Sequence, residues 1–138
     1  MSPDVRDPTD PAEWLRRAAG NLALAKGCRN VPGVLLEDLC FQAQQAAEKA
    51  AKALFVHLQV DFPKVHDIEV LLALLHQERV AIPDSIRRAG RLTRYAVETR
   101  YPGEWGEIRE HQYVEAVDLA EGVLHWAESV IRAGKKEG

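Results

Sequence analysis

The sequence is poor in cysteine and has no long apolar run. Its 138 residues include two cysteines, Cys28 and Cys40, which do not form a CxxC pair. Two cysteines are too few for the disulfide framework of a small secreted domain, and without paired spacing a zinc site is not expected. No stretch approaches the about 20 consecutive apolar residues that a membrane-spanning helix needs. Because the chain also starts without a signal peptide, we expect a cytoplasmic protein.

Several catalytic signatures are also absent from the sequence. It contains no GxGxxG or P-loop for a nucleotide phosphate, no GxSxG for a serine nucleophile, and no HxxxH or HExxH pair for zinc. We therefore expect no metal and no cofactor. The net charge of −3 gives no general attraction to nucleic acid or to an anionic membrane. Contact with a nucleic acid would therefore need a local basic patch.

The sequence does contain enough apolar residues to build a core. Hydrophobic residues make up 46% of the chain and charged residues 28%, which is typical of a soluble globular protein. Its length suits a single domain. Prolines and polar residues at the start predict a flexible N-terminus over residues 1–9. After it we predict one helical domain over residues 10–134 and a short tail over 135–138.

Apolar residues recur at helical spacing in five segments, and no segment alternates as a strand would. Asp10 is placed to cap the first helix, with Glu13 in position for a capping box. His66 or Asp67 is expected to cap the third helix, and Gly134 to stop the last. The predicted helices run over about 10–27, 36–59, 68–75, 82–100 and 110–133. Their short connections predict an all-α fold, a five-helix up-and-down antiparallel bundle.

The second helix carries apolar or bulky residues on two faces, which is typical of a central helix. Phe41, Gln45, Glu48, Lys52 and Phe55 lie within about a third of a turn of one another on its second face. If this face is buried, its polar side chains need partners, which a second subunit or a ligand would supply. Alternatively, the helix is half-exposed, and its Glu and Lys face water.

The predicted fourth helix carries charged and aromatic side chains that could form a functional site. As an α-helix it places Arg94, Glu98 and Tyr101 along one flank, where they can act together. Arg100 falls on its apolar side and therefore needs a partner, for which Glu48 is a candidate.

The arginines of this helix allow two interpretations. Arg87, Arg88, Arg91 and Arg94 form either a solvated basic face or a phosphate site, since the guanidinium group donates two parallel hydrogen bonds to phosphate.

His66 stands out among the five histidines because it lies beside Asp67 at a predicted helix start, where a carboxylate could orient its ring. A structural role is the simpler expectation for each of the five.

Three blocks of the sequence, FQAQQAAEKAAKAL (41–54), FPKVHDIEVLLALL (62–75) and LTRYAVETRYPG (92–103), resemble the HEPN domain family of bacterial and archaeal proteins. The resemblance covers nearly the whole chain, with the blocks in the same order. It implies an α-helical bundle that commonly forms a two-fold homodimer. Many such proteins are paired with a minimal nucleotidyltransferase, as toxin–antitoxin or related pairs, and the family name refers to nucleotide binding.

The resemblance also implies a ribonuclease alternative. Some HEPN proteins are metal-independent ribonucleases with an Arg followed by a His on the fourth helix, or by a Tyr in one toxin branch. Carried over, Arg94 would be the Arg and Tyr101 the Tyr, with Glu98 between them. This chain departs from the histidine pattern, because the first His after Arg94 is His111, on the next helix.

We therefore weigh three hypotheses. The first is a dimeric module that binds a nucleotide or RNA phosphate and partners a nucleotidyltransferase. The second is a metal-independent ribonuclease using Arg94 and Tyr101. The third is a purely structural helical dimer. The candidate ligand-binding residues are Arg94, Glu98, Arg100, Tyr101, Glu48, Lys52 and His66.

Overall fold

The structure, a computed structural model, describes residues 7–96 and 107–137. Most of the predicted flexible N-terminus, 1–6, therefore lies outside the described residues. Over the described ranges the chain contains five α-helices, one 3-10 helix and no strand, which confirms the all-α five-helix bundle. The elements are α1 Pro11–Gly27, α2 Leu36–Leu58, α3 Ile68–Gln77, α4 Asp84–Arg87, the 3-10 helix Arg88–Tyr95 and α5 Glu110–Glu137.

Helix α2 is the centre of the bundle, as its two-faced pattern predicts. It packs against α1, α3, α5 and the 3-10 helix. Small side chains allow this, because helix axes approach more closely where alanine lies at the contact. The alanines of α2 with no exposed surface are Ala43, Ala46, Ala47, Ala50, Ala51 and Ala53.

The first and third helices begin where their capping residues predict. The Asp10 carboxylate accepts a hydrogen bond from the Ala12 amide at 2.9 Å, which satisfies one of the unpaired N–H groups of the first turn. Asp67, rather than His66, caps α3 and accepts from the Val70 amide.

Glu13 does not complete the predicted capping box. Its carboxylate instead accepts hydrogen bonds from the guanidinium groups of Arg16 and Arg17, each at 2.9 Å. Two cations within one helical turn attract the carboxylate more strongly than a neutral amide does.

The prediction of a continuous α-helix for the fourth helix is wrong over the part that the structure describes. There, Asp84–Arg87 is α-helical, and Arg88–Tyr95 forms a 3-10 helix. The buried residues of the segment, Ile86, Ala89, Leu92 and Tyr95, are spaced by three, which matches the 3.0 residues per turn of a 3-10 helix.

Two features favour the tighter helix. Gly90 lowers the α-helical propensity of the segment by about 1 kcal/mol. Its missing side chain lets α3 approach, since a Cβ at Gly90 would lie 3.0 Å from Cγ of Glu69.

Helix α5 continues beyond the predicted stop at Gly134 and ends at Glu137. Gly134 serves packing rather than termination, because a Cβ there would lie 2.7 Å from Nε2 of His57, near the end of α2. At its other end α5 is tied to α1 by the Tyr113 hydroxyl, which donates to the Ala25 carbonyl at 2.7 Å.

Candidate functional site

Four of the seven candidate residues lie in the described part of the chain: Glu48, Lys52, His66 and Arg94. The other three, Glu98, Arg100 and Tyr101, lie outside the described residues. Of the four, the structure joins three in one hydrogen-bonded network and places Arg94 near the end of the 3-10 helix, which packs against α2.

A buried ion pair lies at the centre of the network. The Lys52 ammonium donates to Oε2 of Glu48 at 2.8 Å, and the two side chains are only 11% and 4% exposed. The interpretation in which Glu48 and Lys52 face water is therefore wrong. The alternative, that a second subunit or a ligand supplies the partners, is also not needed, because both charges are paired within the chain.

His66, in the loop between α2 and α3, contacts this ion pair. Its Nδ1 lies 3.0 Å from Oε1 of Glu48, while 67% of its side chain is exposed. An ionised carboxylate can only accept hydrogen bonds, so Nδ1 carries the hydrogen and donates it to Glu48. In the neutral ring Nε2 is then the acceptor. The buried carboxylate of Glu48 therefore holds the exposed imidazole of His66 in one tautomer.

Gln44 completes the network and was missed from the sequence. Its Nε2 donates to Oε1 of Glu48 at 3.0 Å and to the backbone carbonyl of His66 at 3.2 Å. One side chain thus fixes both the carboxylate and the loop that carries the imidazole. The four-residue spacing of Gln44 and Glu48 on one helix face was the available signal.

These contacts decide the charge state of Glu48. Burial raises the pKa of its carboxyl, but hydrogen bonds from Lys52, Gln44 and His66 together outweigh burial, so its pKa lies below the ordinary value of 4.5. The carboxylate is therefore ionised at neutral pH, as the hydrogen bond from His66 requires.

The aromatic ring of Phe62 closes the other side of the ion pair. The Lys52 nitrogen lies 5.3 Å from the centre of this ring, within the range of a cation–π contact. Phe62 in turn makes edge contacts with Phe55 and Trp14. The loop between α2 and α3 is thus anchored on both sides of Glu48.

Arg94 lies at the end of the 3-10 helix, beside an earlier turn of α2. Its guanidinium carbon is 5.3 Å from the centre of the Tyr95 ring, and the side chain is exposed. Arg94 is also near Cys40: burial raises the pKa of this thiol to about 11, while a hydrogen bond with Tyr95 and the charge of Arg94 act to lower it.

The spacing along α2 relates Arg94 to His66. Cys40, Gln44 and Glu48 follow each other at one-turn intervals on one face, about 6 Å apart along the axis. Tyr95, the residue after Arg94, hydrogen-bonds with the first of them, and His66 contacts the other two. The Ile68 amide also donates to the Thr93 hydroxyl at 3.1 Å, which ties the His66 loop to the 3-10 helix directly.

Two other arginines of the segment face another part of the molecule. Arg88 and Arg91 line a cleft of about 450 Å³ against α5, together with His111. Nη1 of Arg91 lies 3.0 Å from a carboxylate oxygen of Glu115 in an exposed ion pair. Arg91 is thus an exposed surface residue paired with α5, and Arg88 is an exposed neighbour in the same cleft.

The helical order and the central α2 of this chain agree with a known family. The family model of the HEPN domain matches residues 11–130. The chain belongs to the HEPN domain family. No curated protein shows significant similarity to it.

Two solved structures resemble this HEPN domain. The protein TT1696 from Thermus thermophilus is 35% identical, with a TM-score of 0.69, and the match covers 86% of this chain and 96% of that one. An archaeal HEPN homologue is 24% identical, also with a TM-score of 0.69, and the match covers 88% and 98%. The second likeness shows the fold alone.

Two features are absent from the part of the chain that the structure describes. No described helix combines the length and apolar character needed to cross a membrane. Residues 7–96 and 107–137 also contain no group of three or more His, Cys, Asp or Glu side chains placed to hold a metal ion.

Proposed function

We propose that this HEPN domain is a dimeric module that binds the phosphate of a nucleotide or of RNA and partners a small nucleotidyltransferase. The observation that supports phosphate binding best is the placement of an exposed, carboxylate-held imidazole, His66, on a loop that is tied to the 3-10 helix carrying the exposed Arg94 by the hydrogen bond from the Ile68 amide to the Thr93 hydroxyl.

The two side chains offer complementary contacts to a phosphate. Arg94 presents a planar set of N–H donors that matches two phosphate oxygens. His66 presents its Nε2 edge to solvent at a fixed orientation, because Nδ1 is held by Glu48. A protonated ring donates to phosphate from this edge, and orienting it in advance lowers the entropic cost of binding.

The local charge also favours an anion, although the chain as a whole is acidic. The buried carboxylate of Glu48 is neutralised by Lys52. The network around Glu48 is therefore close to neutral and does not repel an anion. In a two-fold dimer two such sites would be present, which would strengthen the attraction for a phosphodiester.

Fluorescence anisotropy tests this proposal with labelled ATP and labelled short single-stranded RNA as probes. Arg94→Ala is expected to weaken binding about 10-fold or more, since a charge-assisted contact contributes about 1.5–3 kcal/mol. The loss should shrink as salt rises and screens the contact. Arg91→Ala is the matched control, because Arg91 is an exposed arginine on the same 3-10 helix that lies against α5, where it contacts Glu115.

The outcomes separate clearly. Binding that is lost in Arg94→Ala and kept in Arg91→Ala supports the site. No binding of either probe by the wild-type protein, or equal binding by all variants, contradicts the proposal.

The partnership with a nucleotidyltransferase is proposed because the chain belongs to the HEPN family, many members of which are paired with such an enzyme. Co-expression with the nucleotidyltransferase of a neighbouring reading frame should yield a complex that co-elutes in size-exclusion chromatography. Separate elution of the two proteins would contradict the partnership while leaving phosphate binding intact.

A further inference from the structure

We propose that a cleft at the carboxyl end of α2 binds an aliphatic ammonium ligand of the polyamine class. The cleft has a volume of about 660 Å³, within the usual range for small-molecule sites. None of its described lining residues belongs to the hydrogen-bonded network of Glu48 and His66. The site is therefore separate from the proposed phosphate site, and either can fail without the other.

The cleft has two walls that come from distant parts of the sequence. One wall lies within residues 56–62, at the end of α2 and the start of the following loop, and the other is Pro8 and Thr9, before α1. Trp14 ties the two walls together. Its indole N–H donates to the Pro8 carbonyl at 2.9 Å, and its ring meets the Phe62 ring edge-on, with the ring centres 5.5 Å apart. Because both walls are held in place before a ligand arrives, less entropy is lost on binding.

Apolar side chains form much of the interior of the cleft. Val56, Val60 and Phe62 line it from one wall, and Pro8 lines it from the other. The first three are only half-buried in the free chain, so a ligand that covers them removes apolar surface from water. A bare inorganic ion cannot do this, whereas a chain of methylene groups can.

The charges around the cleft favour a cation. Among the described residues that line it, Asp61 alone carries a charge, and it is exposed. On the other wall, Thr9 donates to the Asp7 carboxylate through its hydroxyl, at 2.6 Å, and through its amide, at 2.8 Å, which places a second carboxylate beside the cleft. The ammonium group of Lys52, against the Phe62 ring, is already paired with Glu48 and does not line the cleft. The cleft therefore attracts positive charge.

The end of α2 adds to this negative potential. Gln59 ends the helix in the left-handed conformation, with a φ of 58°, and the Val60 amide donates back to the Phe55 carbonyl at 3.0 Å. The chain that lines the cleft therefore turns around the carboxyl end of α2, where the helix dipole is negative. Asp61 and the dipole together disfavour an anion.

These features together select the class of ligand. An aliphatic ammonium compound places methylene groups on Val56, Val60 and Phe62 and a positive group beside Asp61. A polyamine carries a second ammonium group several methylene groups away, which Asp7 beside the opposite wall can attract. A phosphate or carboxylate compound would be repelled, and an uncharged apolar compound would leave both carboxylates without a counter-charge.

Isothermal titration calorimetry of the full chain with spermidine measures binding, and the indole N–H signal of Trp14 in NMR spectra reports where it occurs. Saturable binding that shifts the Trp14 signal is expected. Asp61→Asn should weaken binding about 2–5-fold, the usual scale for an exposed ion pair. Asp118→Asn is the matched control, because it removes the same charge from an exposed residue of the separate cleft against α5, and it should leave binding unchanged.

Gln59 allows a second test at an exposed position of the same wall. Gln59→Glu should tighten spermidine binding and Gln59→Lys should weaken it, each by about 2–5-fold, because the two variants add opposite charges beside the ligand. Both replacements keep a long flexible side chain, so the thermal midpoints of the free variants should stay close to that of the wild-type protein. A change in the same direction in both variants would contradict the proposal.

Two further probes separate the apolar contribution from simple charge. n-Butylammonium should bind more tightly than methylammonium, by up to about 4-fold for each methylene group that is buried. Magnesium chloride at matched ionic strength should neither shift the Trp14 signal nor compete with spermidine, because a hydrated metal ion cannot cover the apolar wall.

Several outcomes would overturn the ammonium site. These are no saturable binding of spermidine, binding that leaves the Trp14 signal in place, equal effects of Asp61→Asn and Asp118→Asn, and full competition by magnesium. None of them bears on phosphate binding, which is measured with other probes and with the Arg94 and Arg91 variants.

Discussion

Nδ1 of His66 lies 3.0 Å from Oε1 of Glu48, although the two residues are 18 positions apart and belong to a loop and to the central helix. The carboxylate is buried and the imidazole is mostly exposed. This pair links the interior of the bundle to its surface. We expect the stability of the fold and its dependence on pH to be sensitive to changes in this pair.

Removing the carboxylate should destabilise the fold. Glu48→Ala leaves the Lys52 ammonium buried without its counter-charge, so the free energy of unfolding in urea is expected to fall by about 3–5 kcal/mol. The double variant Glu48→Leu/Lys52→Met should lose much less, because no isolated charge remains. Glu121→Ala, which breaks the exposed pair with Lys26, should cost less than about 1 kcal/mol. An equally small loss in Glu48→Ala would show that Lys52 reaches water.

The same carboxylate should make stability depend on pH in the acid range. Since folding holds the pKa of Glu48 below its ordinary value of 4.5, its contribution is fully present above that value and is lost as pH falls through the lower folded-state pKa. Urea titrations of the wild-type protein and of Glu48→Gln from pH 7 down to about pH 3 should therefore converge at the acid end. Parallel curves over the whole range would contradict this assignment.

The two cysteines should differ in reactivity. Burial raises the pKa of the Cys40 thiol to about 11, and the side chain is inaccessible, whereas Cys28 is half-buried. At about pH 8 only roughly one Cys40 thiol in a thousand is ionised, and the thiolate is the reactive form. Iodoacetamide followed by mass spectrometry should label Cys28 in the folded protein and both cysteines in denaturant. Equal labelling in the folded state would show that the α2 core opens.

Two glycines in helices should respond oppositely to alanine. A Cβ added to Gly20 in α1 would have no other atom within 4 Å, so Gly20→Ala should stabilise by about 0.5–1 kcal/mol. At Gly134 a Cβ would lie 2.7 Å from Nε2 of His57, so Gly134→Ala should lose that gain or destabilise. The thermal midpoints of both variants provide the check. His57→Ala should restore the gain at Gly134 if the His57 ring is the obstacle.

The protein should be a homodimer in solution. Because Glu48, Lys52 and Phe55 are already buried within one chain, this part of the second face of α2 is not available to the partner copy. The dimer must use other surfaces, and the apolar side chains most exposed in the described residues are Leu24, Val31, Leu35, Val70 and Val114. Light scattering at micromolar concentration measures the mass directly. A stable monomer would remove the two-site arrangement proposed for the phosphodiester.

Several features of this protein are determined by the sequence alone. The starts of α1 and α3 follow from Asp10 and Asp67, because a cap satisfies amides within the same turn and needs nothing from the rest of the chain. The central position of α2 follows from its two apolar faces and its alanines. Both kinds of signal are local, so they can be recognised without knowing the fold.

Tertiary structure decided the features that depend on distant contacts. The segment after Arg87 is a 3-10 helix with α3 packed against Gly90, and α5 runs through Gly134, whose missing side chain leaves room for His57. The same holds for the site. Glu48 and Lys52 are four residues apart on one helix, so their ion pair can be recognised from the sequence. The contact of His66 with Glu48 forms only because the loop folds back over α2. Spacing along the chain determines only neighbours within a turn, whereas contacts between a loop and a buried helix depend on how the whole core packs.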